Sequence, residues 1–153
     1  VTAANSSSIS DGAAALILMR KSTAEKRRLK PLARFLGHSS FAQAPEWFTT
    51  APVGAIKNVL KTVGWKANDV DLFEINEAFA VVTMAAMKDL DLPVDKVNIH
   101  GGACALGHPV GASGTRILVT LISALKKYGK TRGVAGLCIG GGEATAMAVE
   151  VMS

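Results

Sequence analysis

Short apolar runs alternate with amphipathic stretches along most of the chain. Apolar positions at helical spacing predict four helices, over residues 23–29, 52–63, 78–90 and 115–127. Apolar runs bounded by turn residues predict buried strands over residues 32–36, 70–75, 97–99, 133–139 and 144–152, and a buried strand or helix start over residues 13–19. Strands that alternate with helices are typical of an α/β sheet covered by helices. Because only a few residues join the last two strands, that pair must be antiparallel.

Composition and charge narrow the possible function classes. The chain has 153 residues, of which 49% are hydrophobic, so it can bury a core, and disordered classes are excluded. Only 5% of the residues are aromatic and the net charge is a moderate +5, so no nucleic-acid partner is expected. The basic run at residues 26–30 is either a solvated helix face or a contact for a phosphate-bearing partner.

The expected setting is a reducing compartment without membrane insertion. Cys104 and Cys138 form no Cys-x-x-Cys motif, so no metal site is expected, and free thiols fit the cytoplasm or an organelle matrix. The longest apolar stretches without a charge have about 10 residues, whereas a membrane helix needs ~20. Position 1 is Val rather than Met, which favours a piece of a longer protein.

Three motifs with candidate chemistry lie at the carboxyl ends of strands in the predicted sheet, where α/β folds place their sites. Asn76 is either a helix N-cap or an amide that holds a water or a ligand. His108 is either structural or a base; Pro109 restricts its backbone, and the nearby helix start should lower its pKa. Cys138 is either a small core residue or an acid–base thiol, because the glycines at 140–142 can donate N–H groups to an anion.

An ordered set of motifs resembles the thiolase family. The set is Asn-Glu-Ala-Phe-Ala at residues 76–80, Gly-Gly-Ala-Cys-Ala-Leu-Gly-His-Pro-Val-Gly-Ala-Ser-Gly at residues 101–114 and Cys-Ile-Gly-Gly-Gly at residues 138–142. The loop at residues 2–12 is similar to the family's serine-containing loop. The resemblance implies an α/β thiolase-type half with a mixed, mostly parallel five-stranded sheet, helices on both faces and an antiparallel last strand. It also implies that residues 1–31 are the tail end of the amino-terminal half and that residues 32–153 are the carboxy-terminal domain.

The resemblance implies roles for four catalytic residues. In the family, the cysteine that matches Cys138 handles the proton of the acyl α-carbon. The histidine that matches His108 activates a separate nucleophilic cysteine and lines an oxyanion hole. The asparagine that matches Asn76 holds the water that completes this hole, and the N–H of Gly140 would line a second one. We expect these four residues to converge on one pocket, with the His108 ring and the Cys138 sulfur within ~10 Å.

The implied reaction is the reversible Claisen condensation or thiolytic cleavage of 3-ketoacyl-CoA, with coenzyme A as a substrate and no covalently bound cofactor. Ser7, Ala78 and Phe79 match positions that line the pantetheine arm. The family's nucleophilic cysteine has no counterpart here, so the chain alone should be inactive and belong to a longer homodimer or homotetramer. Two alternatives are a non-catalytic module that binds acyl-CoA or lipid, and a ketoacyl synthase. A ketoacyl synthase commonly has His or Asn where this chain has Cys138.

Overall fold

The computed structural model describes residues 1–152, which contain one four-stranded sheet; Ser153, the end of the predicted domain, lies outside the described residues. The strands are β1 (Ala33–Ala42), β2 (Leu72–Ile75), β3 (Arg132–Ile139) and β4 (Glu143–Val151). Their order is β1-β4-β3-β2. Strand β4 runs antiparallel to β1 and β3, and β2 is parallel to β3. Three strands therefore share one direction and the last strand opposes them, as predicted.

Helices cover both faces of this sheet, which confirms the predicted α/β layers. The helices of the described chain are α1 (Lys21–Lys26), α2 (Ala51–Val63), α3 (Ala80–Leu90), α4 (Ala103–Leu106) and α5 (Val110–Lys127), of which α2, α3 and α5 pack on the sheet. One core packs α2 and α3 on the face that carries Phe73 and Ile75. A second core packs Ile117 and Leu121 of α5 on the face that carries Leu72. Successive β2 side chains point to opposite faces, so this short strand contributes to both cores.

Helix α2 forms where its local signals place it. Pro52 lies in its first turn, where a missing N–H costs little. Ile56 and Val59 are fully buried against the sheet. Gly64 ends the helix with a φ of 71°, a left-handed conformation that glycine adopts without a steric penalty. The helix predicted over residues 52–63 is confirmed.

The predicted fifth strand at residues 97–99 is wrong. Val97 makes one parallel bridge to Phe73, and Asn98 then leaves the strand direction with a φ of 48°. The side chain of Asn98 pairs with the backbone of Ile75 instead. Its Oδ1 accepts from Ile75 N, and its Nδ2 donates to Ile75 O, both at 2.8 Å. An amide side chain therefore replaces the backbone edge that a fifth strand would have offered.

Residues 13–19 are also not the buried strand or helix start that their composition predicts. This segment has no regular secondary structure, and Ile17 and Leu18 are 88% and 75% exposed. A buried strand needs neighbours for its N–H and C=O groups. No strand of the described chain pairs with this segment, so its apolar side chains stay on the surface.

Two element boundaries differ from their predicted positions by five or more residues, namely the start of α5 and the end of β1. Helix α5 begins at Val110 rather than at residue 115. Pro109 occupies the N-cap position, and the helix includes the glycines at residues 111 and 114 despite their low helix propensity. Strand β1 continues to Ala42 rather than ending at residue 36. Its register with β4 extends through the turn-forming residues after Gly37, so pairing overrides their local preference.

Candidate active site

Asn76 lies where the parallel strands β2 and β3 end. Its N–H donates to Gly136 O on β3 at 2.9 Å, and only 1% of the residue is exposed. Asn76 does not cap a helix, because α3 begins at Ala80 and Phe79 holds the N-cap position. The capping interpretation is therefore wrong, and the amide contacts His108 instead.

Side chains hold the imidazole of His108 from both sides. Its Nε2 lies 3.4 Å from Asn76 Nδ2, and its Nδ1 lies 2.6 Å from Ser113 Oγ. Ser113 is fully buried and donates its hydroxyl proton to Pro109 O at 3.0 Å, so its oxygen accepts from His108 Nδ1–H. The network assigns the neutral tautomer that carries its proton on Nδ1 and leaves a lone pair on Nε2.

The side-chain oxygen of Asn76, Oδ1, is buried and has no hydrogen-bond partner within residues 1–152. An unpaired buried acceptor costs ~1–3 kcal/mol, so a native site that keeps one calls for an explanation such as a ligand or an ordered water. The amide offers this free acceptor next to the lone pair of His108 Nε2. That chemistry suits a bound water, although the water-holding role of Asn76 stays a prediction.

Burial lowers the pKa of His108, and the positive charge of Arg116 lowers it further. The direction agrees with the expectation from sequence. The causes are desolvation and a cation on α5, whereas the expected cause was the helix start. A lowered pKa keeps the ring neutral over a wider pH range, so Nε2 stays able to accept a proton.

Cys138 lies on β3 two residues beyond Gly136, near the same edge of the sheet as Asn76. It is a free thiol, and burial raises its pKa, so it stays protonated near neutral pH. Such a thiol can deliver a proton. No hydrogen bond joins Cys138 to Asn76 or His108 within the described residues, so the convergence of the four residues on one pocket stays a prediction.

Gly140 lies in the exposed turn between β3 and β4. A Cβ at this position would meet no atom within 4 Å, so the space beside the residue is open to a ligand. Gly141 and Gly142 follow with φ values of 95° and 94°, which other residues rarely adopt. An open groove beside the turn includes Ile139, but it lies along β1 and β4 and His108 does not line it.

The first loop brings the three predicted CoA-contact residues together. Ser7 donates to Ala78 O through its N–H at 3.1 Å and through its Oγ at 3.0 Å, and the preceding residue bridges to Phe79. Ser8 O accepts the N–H of His108 at 2.9 Å. The loop therefore connects the segment after β2 to the loop that carries His108.

Glu77 organises the loops around the site, a role that the motif at residues 76–80 does not predict. Its carboxylate accepts from Asn98 Nδ2 at 2.9 Å and from Cys104 N at 3.1 Å. Gly102 is needed beside it, because a Cβ there would collide with the carboxylate. Cys104 therefore lies in a structural position.

The sequence analysis also did not identify three further residues near the site, which are Ser113, Glu74 and Arg116. Glu74 is 2% exposed on β2 and lies 3.6 Å from the Arg116 guanidinium on α5. Burial raises the pKa of Glu74 to about 7, even though Arg116 opposes the shift. The available signal was an acidic residue inside the apolar run 70–75, since such a residue is rarely buried without a partner.

Residues 1–152 contain no group of three or more His, Cys, Asp or Glu side chains placed to hold a metal ion. Over the same residues, every helix falls short of the length and hydrophobicity needed to cross a bilayer. Cys104 and Cys138 are both free thiols.

Comparisons with known proteins agree with the motif set. The family profile described as "Thiolase, C-terminal domain" matches residues 29–151. The chain is 57% identical over 150 residues to the cytosolic acetyl-CoA acetyltransferase of Mus musculus. The aligned residues cover 98% of this chain and 38% of the mouse protein.

Two solved structures match nearly the whole chain. The acetyl-CoA acetyltransferase of Bacillus anthracis is 45% identical with a TM-score of 0.97, covering 99% of this chain and 39% of that one. The Acat5 thiolase of Ascaris suum, solved in complex with coenzyme A, is 41% identical with a TM-score of 0.90, at the same coverage. The chain thus spans less than half the length of the relatives it matches.

Proposed function

We propose that this chain, which belongs to the thiolase family, forms the carboxy-terminal part of an acyltransferase that acts on coenzyme A thioesters. The observation that carries the proposal is the neutral His108 ring, held at Nδ1 by Ser113, with an Nε2 lone pair that meets only the long 3.4 Å contact from Asn76 Nδ2, beside the unpartnered Asn76 Oδ1. The reaction is the reversible Claisen condensation of two acyl-CoA units, or the thiolytic cleavage of 3-ketoacyl-CoA in the reverse direction.

In this proposal, His108 activates a cysteine supplied by the part of the longer protein outside this chain. Nε2 takes the proton of that thiol, and the thiolate attacks the carbonyl carbon of the thioester. The imidazolium then returns the proton to the departing sulfur. A water held by Asn76 Oδ1 and the N–H of Gly140 donate to the two carbonyl oxygens on which negative charge develops.

Cys138 moves the second proton of the cycle. In the condensing direction its thiolate removes a proton from the α-carbon of an acetyl thioester, and in cleavage its thiol returns that proton to the departing acyl unit. Burial favours the protonated thiol, which supports the donor role in cleavage.

Ser7, Ala78 and Phe79 contact the pantetheine arm of CoA in this proposal. The ring of Phe79 packs edge-on against Phe48, with the ring centres 6.1 Å apart, which supplies an apolar wall beside the first loop. Coenzyme A in the structure of the Ascaris relative supports CoA as a substrate.

The complete protein extends beyond this chain in the same proposal. Residues 1–31 are the end of its amino-terminal half, and residues 32–153 are its carboxy-terminal domain. The exposed side chains of Ile17 and Leu18 support a contact with a segment outside this chain. We propose a homodimer or homotetramer in a reducing compartment, either the cytosol, as in the name of the mouse relative, or an organelle matrix.

The test is the thiolysis of acetoacetyl-CoA by CoA. The 153-residue chain alone should give no turnover above the buffer rate, because it lacks the acyl-accepting cysteine. The same chain fused behind the amino-terminal part of the mouse relative should turn over, and that amino-terminal part alone is the control. Steady turnover by the 153-residue chain alone would contradict the proposal. A folded fusion that binds acyl-CoA without turnover would favour the non-catalytic binding module instead.

A further inference from the structure

An ion pair joins the two elements that carry Asn76 and Ser113, and it takes no part in the proposed reaction. Glu74 on β2 is almost fully buried, and its Oε2 lies 3.6 Å from Arg116 Nη1 on α5. Arg116 also donates to Thr120 Oγ1 at 3.5 Å. Apolar residues in place of a buried ion pair often leave stability unchanged or improved, so stability alone does not explain this pair.

The pair connects the two elements that hold the His108 ring. Glu74 precedes Asn76 by two residues, and Arg116 follows Ser113 by three residues, about one turn along α5. Because Asn76 and Ser113 contact the two ring nitrogens, the ion pair links the two segments that hold the ring. We propose that Arg116 is a positioning residue for His108: anchored by Glu74, its guanidinium holds a fixed positive charge behind the ring and keeps Nε2 free of a proton.

The charges around the pair determine the sign of this effect. Arg116 acts on both Glu74 and His108, and Glu77 is the other charge that acts on Glu74. Arg116 disfavours a second cation close to it and so lowers the pKa of His108. Because the pKa of Glu74 is about 7, its carboxylate is partly protonated near neutral pH. The carboxylate of Glu74 then neutralises only part of the positive field that Arg116 exerts on His108.

The catalytic use of this charge rests on the proposed function, whereas the charge state of His108 does not. The test follows the ring signals of ¹³C-labelled histidine by NMR through a pH titration of the full 153-residue chain, with His108→Asn assigning the signal. Arg116→Gln should move the His108 midpoint to higher pH by about half a unit or more, because the like charge is gone. Arg116→Lys keeps the charge and should leave the midpoint in place. Glu74→Gln keeps the Arg116 cation and should not raise the titration midpoint of His108.

Three results would overturn the proposal: no rise in Arg116→Gln, an equal rise in Arg116→Lys, or an equal rise in Glu74→Gln. An equal rise in Glu74→Gln would mean that loosening of the site, rather than the charge of Arg116, determines the titration midpoint of the His108 ring. If Arg116→Gln does not fold, the double variant with Glu74→Gln removes both buried charges and makes the same test. The titration needs no turnover, so an inactive fusion protein would contradict the proposed function and leave this result standing.

Discussion

Ser113 and Asn76 contact the His108 ring in different ways. The proton of Ser113 Oγ is used by Pro109 O, so the 2.6 Å bond to Nδ1 requires the ring to donate. The contact between Asn76 Nδ2 and Nε2 is long at 3.4 Å, so a thiol or a water can replace it at little cost. The ring is therefore fixed at Nδ1 and accessible at Nε2, where the proposed proton transfer takes place.

Glu74 should make the stability of the chain depend on pH. Its pKa of about 7 in the folded state exceeds the ordinary value of 4.5, so the folded state binds more protons between these values. The unfolding free energy therefore falls as pH rises through this window, by about 3 kcal/mol. Glu74→Gln should lack this loss. Its unfolding free energy relative to wild type, from urea denaturation, should rise from about pH 5 to about pH 8. A constant difference between the two proteins would contradict this assignment.

Among the secondary-structure elements, those with local signals could be predicted and those with distant partners could not. Helix α2 is defined by Pro52 in its first turn and Gly64 at its end. The strand predicted at residues 97–99 does not form, because the amide of Asn98 competes for the backbone of Ile75. The apolar composition of residues 13–19 does not reveal that no strand of the described chain pairs with them.

The same distinction applies to the site. Motifs identified Asn76, His108 and Cys138 because each stands in a recognisable sequence context. Ser113 lies outside the helix predicted over residues 115–127, whereas α5 begins at Val110 and holds the buried Ser113 against the ring. The contact between Glu74 and Arg116 could not be predicted either, because it depends on how α5 packs against β2.

Asn98→Ala tests whether a side chain closes the edge of β2. The variant leaves the buried N–H of Ile75 without the amide and its C=O with only the Thr83 Oγ1 contact, so the unfolding free energy should fall by ~1–3 kcal/mol. Asp91→Ala is the matched control, because Asp91 has a similar φ of 51° but is exposed and makes no side-chain hydrogen bond within residues 1–152. Urea denaturation measures both. Equal losses would attribute the effect to the backbone conformation rather than to the amide.

For the molecule as a whole, a well-packed sheet domain carries only part of the proposed catalytic set. Both faces of the sheet are covered by helices, and the loops of Ser7, Asn76 and His108 are joined by hydrogen bonds. In contrast, Ile17 and Leu18 are exposed. A proton acceptor and a proton donor lie in this chain, and the proposed nucleophile lies outside it. We therefore expect this chain to form its sheet domain alone, whereas the proposed reaction needs the rest of the longer protein.

The most direct measurement is kcat/KM for thiolysis of acetoacetyl-CoA by the fusion protein, with His108→Ala, Cys138→Ala and Cys104→Ala compared under one condition. His108→Ala and Cys138→Ala should each lower the rate at least ~10²-fold, because each removes a positioned acid–base group. Cys104→Ala should stay within about twofold, since its thiol makes only a weak 3.7 Å contact with Glu77 O. A Cys138→Ala variant with nearly full activity, or one no slower than Cys104→Ala, would contradict the roles assigned here.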